Sequence, residues 1–567
     1  MRLFKTYVFY PFSLPPGTFQ RLSGMGLGAP GGDPWFRVSP PIVQNTPETY
    51  AEFTYFHSHA RDLLFGLDAQ DRSLLVYQVG DDRIAGWTFR IEIPKRPGAE
   101  AAVSRVLKLT DVQAMIYDLD VGVLSFAVMW DRREAEAQGL SADVSFGDVL
   151  DINNLFRRRA PSFLDFHEVK QSLVSKDHRP GDGWAAFQKS KRELPVEIEI
   201  REASGESGPD RRENFGDRFD RVFGTRQRLP YIANHFLFWL ARLGNDLGIP
   251  TEKMEPILDE RNFVFSLVVA DQEDRGLDSP SPPDPEPVVD PENVFGKLTE
   301  EPEGFRESLA RLLFVDPAGG GYVANHDLRD RMLAKALYLR YRDYGTYYGF
   351  TRYSGVFLLH GGGGEEFARD ALLGQFDSMY FQMANLLLVL RAALLDLSHR
   401  SALISRRLRS PDDLDNPELN KDIERIRSDF LRFHTKYWFC EVTAQEQGIE
   451  MFDLWNRNMG NERLFAEVDQ QVRALHDFSQ ATVNRRLGRL TYLNISAIGV
   501  ALIGLMVGAL TISTSAAWGY IGIAILVSFV LGAIAAYLLF AAGPKVLCWL
   551  ERCRTPRWIS ARRGPRR

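Results

Sequence analysis

The chain has 567 residues, 45% of them hydrophobic and 25% charged, and a formal net charge of -6. Its water-facing part is too long for one core and predicts two or three units. Three cysteines, Cys440, Cys548 and Cys553, read as free thiols of a reducing compartment; the competing reading for Cys548 and Cys553 is lipidation. The acidic balance argues against direct nucleic-acid binding, which needs a net positive field.

The first part mixes strand and helix signals. Phe4–Tyr10 reads as a buried strand. Thr46-Pro47-Glu48 is an N-cap followed by proline at the first helical position, opening a helix that runs to Phe65 with Gly66 as its stop. Leu74–Val79, Trp87–Ile93 and Val112–Leu119 read as strands rich in aliphatic and aromatic residues. Asp120-Val121-Gly122 turns the chain into Val123–Met129, a hairpin. Ser145-Phe146-Gly147-Asp148 has capping-box spacing and starts a helix that ends near Pro161. Leu194–Ile200 is a further strand, Tyr231–Leu243 an apolar helix and Asn262–Val269 a strand. Asp271–Pro291, with five prolines between Pro280 and Pro287, reads as a mobile surface loop. Arg329–Tyr341 returns to helix and Tyr353–Leu359 to strand. These residues are expected to form an α/β cytosolic domain over 1–270 and 292–365, divided by the loop at 271–291.

From Glu366 the signals turn helical. Met383, Leu387, Leu390, Leu394 and Leu397 alternate steps of four and three, the seam of packed helices. Ser378–Leu390 is apolar enough to raise the question of a span. Arg391, Asp396, His399 and Arg400 cut it short, so a buried helix is expected. A second helix covers Lys421–Gln445. A third starts near Gly448, with Gly460 and Gly488 as its weak points, and is expected to run unbroken towards the membrane. Residues 366–490 thus read as a long α-helical stalk.

Leu490–Pro544 carries no charge at all, enough for two crossings of about 20 residues each. The split falls at Leu493–Ile512 and Ile521–Ala542, with Ser513–Trp518 as a tight outer turn, a C-terminal two-helix transmembrane hairpin over 491–544. Arg485, Arg486 and Arg489 precede it. The tail at 545–567 carries eight basic residues against one acid, which leaves -13 on the rest of the chain. Lys and Arg stay on the side that is not translocated. The expectation is a multi-pass protein of the inner (cell) membrane with both termini cytosolic and a basic tail that binds anionic headgroups. The opening Met1-Arg-Leu-Phe-Lys-Thr-Tyr lacks the apolar core of a signal peptide.

An α/β cytosolic domain, stalk helices, a last helix continuing into the first span, a short outer turn and a basic tail together resemble the CorA-type divalent-cation channels. Leu490-Thr491 is similar to the Leu-Thr that begins that family's pore helix, and Gly508 falls where its Gly-Met-Asn motif closes the first span. Here the motif reads Gly508-Ala509-Leu510. The resemblance implies a homo-oligomer, a pentamer, with a central pore lined by the first span. Magnesium selectivity does not carry over, because Leu510 offers no polar group to a hydrated ion. The enlarged cytosolic part is similar to CorA-like effectors of type III CRISPR loci, switched by a nucleotide second messenger in antiviral defence. The resemblance therefore implies a divalent cation or a nucleotide as ligand.

Asn494, Ile498, Ala501, Leu505, Gly508 and Ile512 follow at helical steps and form the candidate pore-lining face, mostly hydrophobic and able to gate by dewetting. The competing reading is a helix contact through Asn494 and the small residues Gly499, Gly504 and Gly508. Arg157, Arg158 and Arg159 are the candidate ligand-binding cluster, since guanidinium forks bind oxyanions in pairs. A solvated helix end explains the same cluster. His57-Ser58-His59 reads as a surface pair, not a metal site. His360-Gly361-Gly362-Gly363 lacks a partner nucleophile, and Gly319-Gly320-Gly321 lacks the Lys-Ser/Thr of a P-loop. No catalytic constellation is found. The functions to distinguish are a gated channel and a non-conducting membrane-anchored sensor or adaptor.

Overall fold

The computed structural model describes residues 1–24, 35–38, 47–65, 73–80, 84, 87–93, 103–137, 144–158, 198–202, 233–258, 261–270, 298, 301–319, 325–360, 364–408, 416–512 and 527. The loop expected at 271–291, the segment expected to be a second span and the basic tail lie outside these residues, apart from Val527. The chain divides into two compact units. One comprises Met1–Ala402 with Ile426–Gln471, the other Leu403–Arg425 with Val472–Arg567.

Among the described residues, the first unit is built on one twelve-stranded sheet. Its strands are β1 (Leu3–Ser13), β2 (Trp35–Val38), β3 (Leu74–Val79), β4 (Trp87–Ile93), β5 (Val103–Tyr117), β6 (Val121–Asp131), β7 (Ile198–Glu202), β8 (Glu255–Pro256), β9 (Phe263–Ala270), β10 (Leu337–Tyr338), β11 (Thr346–Phe350) and β12 (Ser354–His360). The order is β10-β11-β12-β9-β1-β6-β5-β3-β2, with β4 joining β5 to β7 and β8 beside β1. Only β9 and β12 pair in parallel among these strands; the other pairings are antiparallel. The β5–β6 hairpin is the expected one, but its turn is Asp118–Asp120, and Val121 and Gly122 already belong to β6. The register slips between Leu109 and Asp111. At this bulge the outer edge of β5 changes partner, from β4 over Val103–Lys108 to β3 over Gln113–Tyr117. A bulge adds the local twist such a fork needs.

β1 is apolar on successive positions because helices cover both faces of the sheet. Phe4, Val8, Tyr10 and Phe12 enter a core with Phe126, Phe156, Phe236 and Trp239. Tyr7 and Phe9 instead meet Phe376 and Phe381. On the first face lie helices Phe146–Phe156, Asn234–Leu247 and Glu303–Phe314. The Ser145 hydroxyl accepts the Asp148 amide, and the Asp148 carboxylate accepts the Ser145 amide, both at 3.1 Å, the capping box the spacing predicts.

The opposite face carries much of the segment expected to be stalk. Helix Met379–Arg407 is buried through Met383, Leu387, Leu390, Leu394 and Leu397. The helical run Glu365–Arg407 is long and apolar enough to cross a membrane, yet most of it is buried in the fold. It is therefore the core helix that its charged residues indicate, and its apolar character serves the sheet. Trp455 of helix Glu446–Met459 stacks on Phe350 and touches Phe263 and Phe265.

Several boundaries differ from expectation. Residues 47–65 form two helices, Pro47–Tyr55 and Ser58–Phe65. Between them Phe56 bridges to Thr443, and the His57 amide donates to the Val442 carbonyl. Helix His326–Ala336 gives way to β10 instead of reaching Tyr341, because Leu337 and Tyr338 pair with β11. The second C-terminal helix is Pro417–Lys436. The third is broken. Helix Glu446–Met459 stops at Gly460, with φ of 74°, and a new helix runs without interruption from Asn461 to Ile512. Gly488 lies within it.

Candidate functional site

Helix Asn461–Ile512 contains 52 residues, about 78 Å at 1.5 Å per residue. Its root is held by buried polar contacts. Arg391 donates to the Met459 carbonyl at 2.6 Å, and the Asn461 amide donates to the Leu387 carbonyl at 3.1 Å. Asn458 donates to the carbonyls of Lys335 and Phe350 at 3.0 and 3.1 Å. The bond from Arg391 satisfies a carbonyl that the helix break at Gly460 leaves open. Together these bonds tie the joint to the core helix and to β11. Sequence reading passed over Asn458 and Asn461 and saw in Arg391 only an obstacle to spanning. Two asparagines beside Gly460, with a basic residue inside an apolar helix, were the available signal.

Towards its other end this helix is free of charge and apolar over Leu490–Met506, with Thr491, Asn494 and Ser496 as its exposed polar residues. Ile495, Ile498, Leu502, Ile503, Leu505 and Met506 are each more than half exposed, and Tyr492 is 77% exposed. A stretch of helix this apolar belongs in a core or in lipid. The Thr491 and Ser496 hydroxyls are satisfied within the helix, by the Leu487 carbonyl at 2.8 Å and the Tyr492 carbonyl at 2.7 Å. The Asn494 side chain makes no hydrogen bond among the described residues and is exposed. Asn494, Ile498, Ala501 and Leu505 share one face by their four-three-four spacing. Gly508 and Ile512 belong to the same unbroken helix.

The arginine cluster is used internally at its first member. Arg157 donates to the Phe314 carbonyl at 3.2 Å, at the end of helix Glu303–Phe314, and stands 3.7 Å from Asp316. Arg158 pairs through its backbone with Arg261, and Arg159 lies outside the described residues. His57 and His59 stack at 5.6 Å, with His59 Nε2 at 2.9 Å from the Glu441 carbonyl oxygen. His360 stacks on Phe305 at the end of β12. Among the described residues, no three His, Cys, Asp or Glu side chains are grouped to hold a metal. Cys440 is a free, exposed thiol.

A second polar cluster joins residues far apart in sequence. Glu365 receives Arg2 at 2.8 Å, Arg133 at 2.9 Å and Arg369 at 3.1 Å. Arg369 also grips Asp131, through Nη2 at 2.8 Å. Burial alone would raise the Glu365 carboxyl pKa, but hydrogen bonds from Arg369 and Arg2 outweigh it and hold the group below the usual carboxylate range.

Compared with protein-family models, curated proteins and solved structures, the chain matches none.

Proposed function

We propose that this protein is an oligomeric membrane channel or pore of CorA-like architecture, gated by its sheet-centred unit. In this reading the segment after Leu490 crosses the membrane with both termini cytosolic, and copies, five by resemblance, surround a pore faced by Asn494, Ile498, Ala501, Leu505, Gly508 and Ile512. A ligand binding with different affinity to two arrangements of the sheet unit would shift their populations and so the pore. A nucleotide second messenger, in antiviral defence, is the ligand this architecture suits.

The observation that carries the reading is the uninterrupted helix Asn461–Ile512, clamped at its root by Arg391 and Asn461 and apolar, without charge, over Leu490–Met506. A helix without a break transmits displacement along its axis, whereas a flexible linker would lose it. One observation favours the runner-up, a non-conducting anchored sensor: Asn494 is the only strongly polar residue on the proposed lining face.

Ion flux from liposomes containing the full-length protein separates the two. A channel passes ions, and Asn494→Leu changes its conductance severalfold. Vesicles that stay tight under every ligand tried, with Asn494→Leu altering only yield, would leave the anchor as the function.

A further inference from the structure

At one edge of the sheet unit four strand ends lie side by side. His360 of β12 pairs with Ala270 of β9, Val269 with Leu3 of β1, and Leu3 with Asp131 of β6. Because β9 and β12 are parallel, both bring their carboxyl ends here, beside the carboxyl end of β6 and the amino end of β1. Three guanidinium groups, from Arg2, Arg133 and Arg369, converge on Glu365 at this edge. Arg132, next in the chain, adds a fourth that faces Glu136 at 3.8 Å. Asp131 is held by Arg369 and by the Arg133 amide at 2.8 Å. The three arginines around Glu365 thus outnumber Glu365 and Asp131 by one charge. The side chains differ in access: those of Arg133 and Arg2 are 60% and 33% exposed, those of Arg369 and Asp131 only 16% and 8%. A rigid inner pair therefore carries two outer guanidinium groups that reach solvent.

We infer that this edge is a phosphate-binding site in which the Glu365 carboxylate occupies the phosphate position until a phosphate-bearing ligand displaces it. A carboxylate offers two oxygens to three guanidinium groups. A phosphate offers three and more charge, and matches the arginine fork equally well. Glu365 lies in the short helix Gly364–Phe367, which leads through Ala368–Leu372 and Leu373–Asp377 to a break at Ser378. Helix Met379–Arg407, next in the chain, holds the root of the long helix through Leu387 and Arg391. Displacing Glu365 therefore frees the segment that leads into helix Met379–Arg407, the element that carries the joint. That coupling rests on the function proposed above; the binding does not.

The test uses full-length protein in nanodiscs of neutral phosphatidylcholine, titrated with inorganic pyrophosphate and followed by calorimetry. Saturable binding is expected. Arg133→Gln weakens it about tenfold, the worth of one charge-assisted hydrogen bond, and Glu365→Gln tightens it by a similar factor because the internal competitor is gone. A purely structural role for Glu365 gives the opposite sign. Arg133 is exposed enough for its variant to fold, so it decides the matter if Glu365→Gln does not. Unchanged affinity in Arg133→Gln, weaker binding in folded Glu365→Gln, or no binding by wild type would overturn the site. Repeating the titration in phosphatidylglycerol discs identifies the phosphate source. Arg133-dependent binding that disappears there assigns the site to lipid headgroups, and binding that persists assigns it to a soluble ligand. Calorimetry reports no flux, so a tight liposome refutes the channel without touching this site.

Discussion

Gly460→Ala and Gly488→Ala are expected to shift stability in opposite directions, although both glycines fall in the stretch that reads as one helix. Gly460 has φ of 74°, where an L side chain costs about 1–2 kcal/mol. Its added Cβ would meet only Arg352 Nη2, at 3.6 Å, so the backbone alone sets the effect. The strain could be relieved by continuing the helix through residue 460. That would break the buried bonds from Arg391 to Met459 and from Asn461 to Leu387, each worth about 1 kcal/mol. The variant therefore keeps the joint and bears the strain. After the gain of about 0.4–1 kcal/mol from stiffening the unfolded chain, the net loss is about 1 kcal/mol. Gly488 is inside helix Asn461–Ile512 with nothing within 4 Å of a Cβ, so alanine there gains about 0.5–1 kcal/mol. Gly460→Asn, which tolerates the left-handed region, should lose less than Gly460→Ala. The measurement is the urea midpoint of full-length protein in detergent, read by tryptophan fluorescence. If Gly460→Ala stabilises as Gly488→Ala does, the helix has no joint, and the clamp by Arg391 and Asn461 is refuted.

Glu52 supplies a pH dependence of definite sign. Burial pushes its carboxyl up to about 7, against a lowering hydrogen bond from Gln382. The folded state then binds more protons than the unfolded one between the ordinary glutamate value and about 7. Its contribution is fully present below that window and is lost as pH rises through it, by up to about 3 kcal/mol. Glu52→Gln should therefore stabilise the protein at pH 8 and leave it unchanged at pH 4; equal midpoint shifts at both would contradict the assignment. Ser145→Ala removes one arm of the capping box and should lose about 1 kcal/mol, while Ser145→Thr keeps it. Equal urea midpoints for these two variants would show that the cap adds nothing.

Where neighbours in sequence decide, the reading was sound. Strands Leu74–Val79 and Trp87–Ile93 have the bounds expected from their residues. The Ser145 cap, the apolar seam from Met383 to Leu397 and the helical continuity of 461–512 were legible as well. Each follows from side-chain periodicity or a hydrogen bond spanning one helical turn. Some elements were missed, among them β2, β11 and helix Glu303–Phe314. β2 and β11 hold strand-forming residues but are only four and five residues long, too short for a period to show, and pairing with other strands stabilises them. Helix Glu303–Phe314 is rich in helix formers that the reading passed over.

Tertiary structure decided everything that depends on partner choice. β1 and β9 lie side by side although some 260 residues separate them, because both are apolar on each face and only the centre of a covered sheet buries both sides. Gly460 ends one helix and opens another because Arg391 and Asn461, bonded across the core, reward a left-handed residue that helix propensity alone would reject. Arg2, Asp131, Arg133, Glu365 and Arg369 meet only once four strand ends are aligned. Composition and periodicity act over a turn or two of chain, so they determined the segments and the charge-free stretch from Leu490 to Pro544. The joint and the arginine-lined edge arise from contacts whose free energy exists only after distant residues have been brought together.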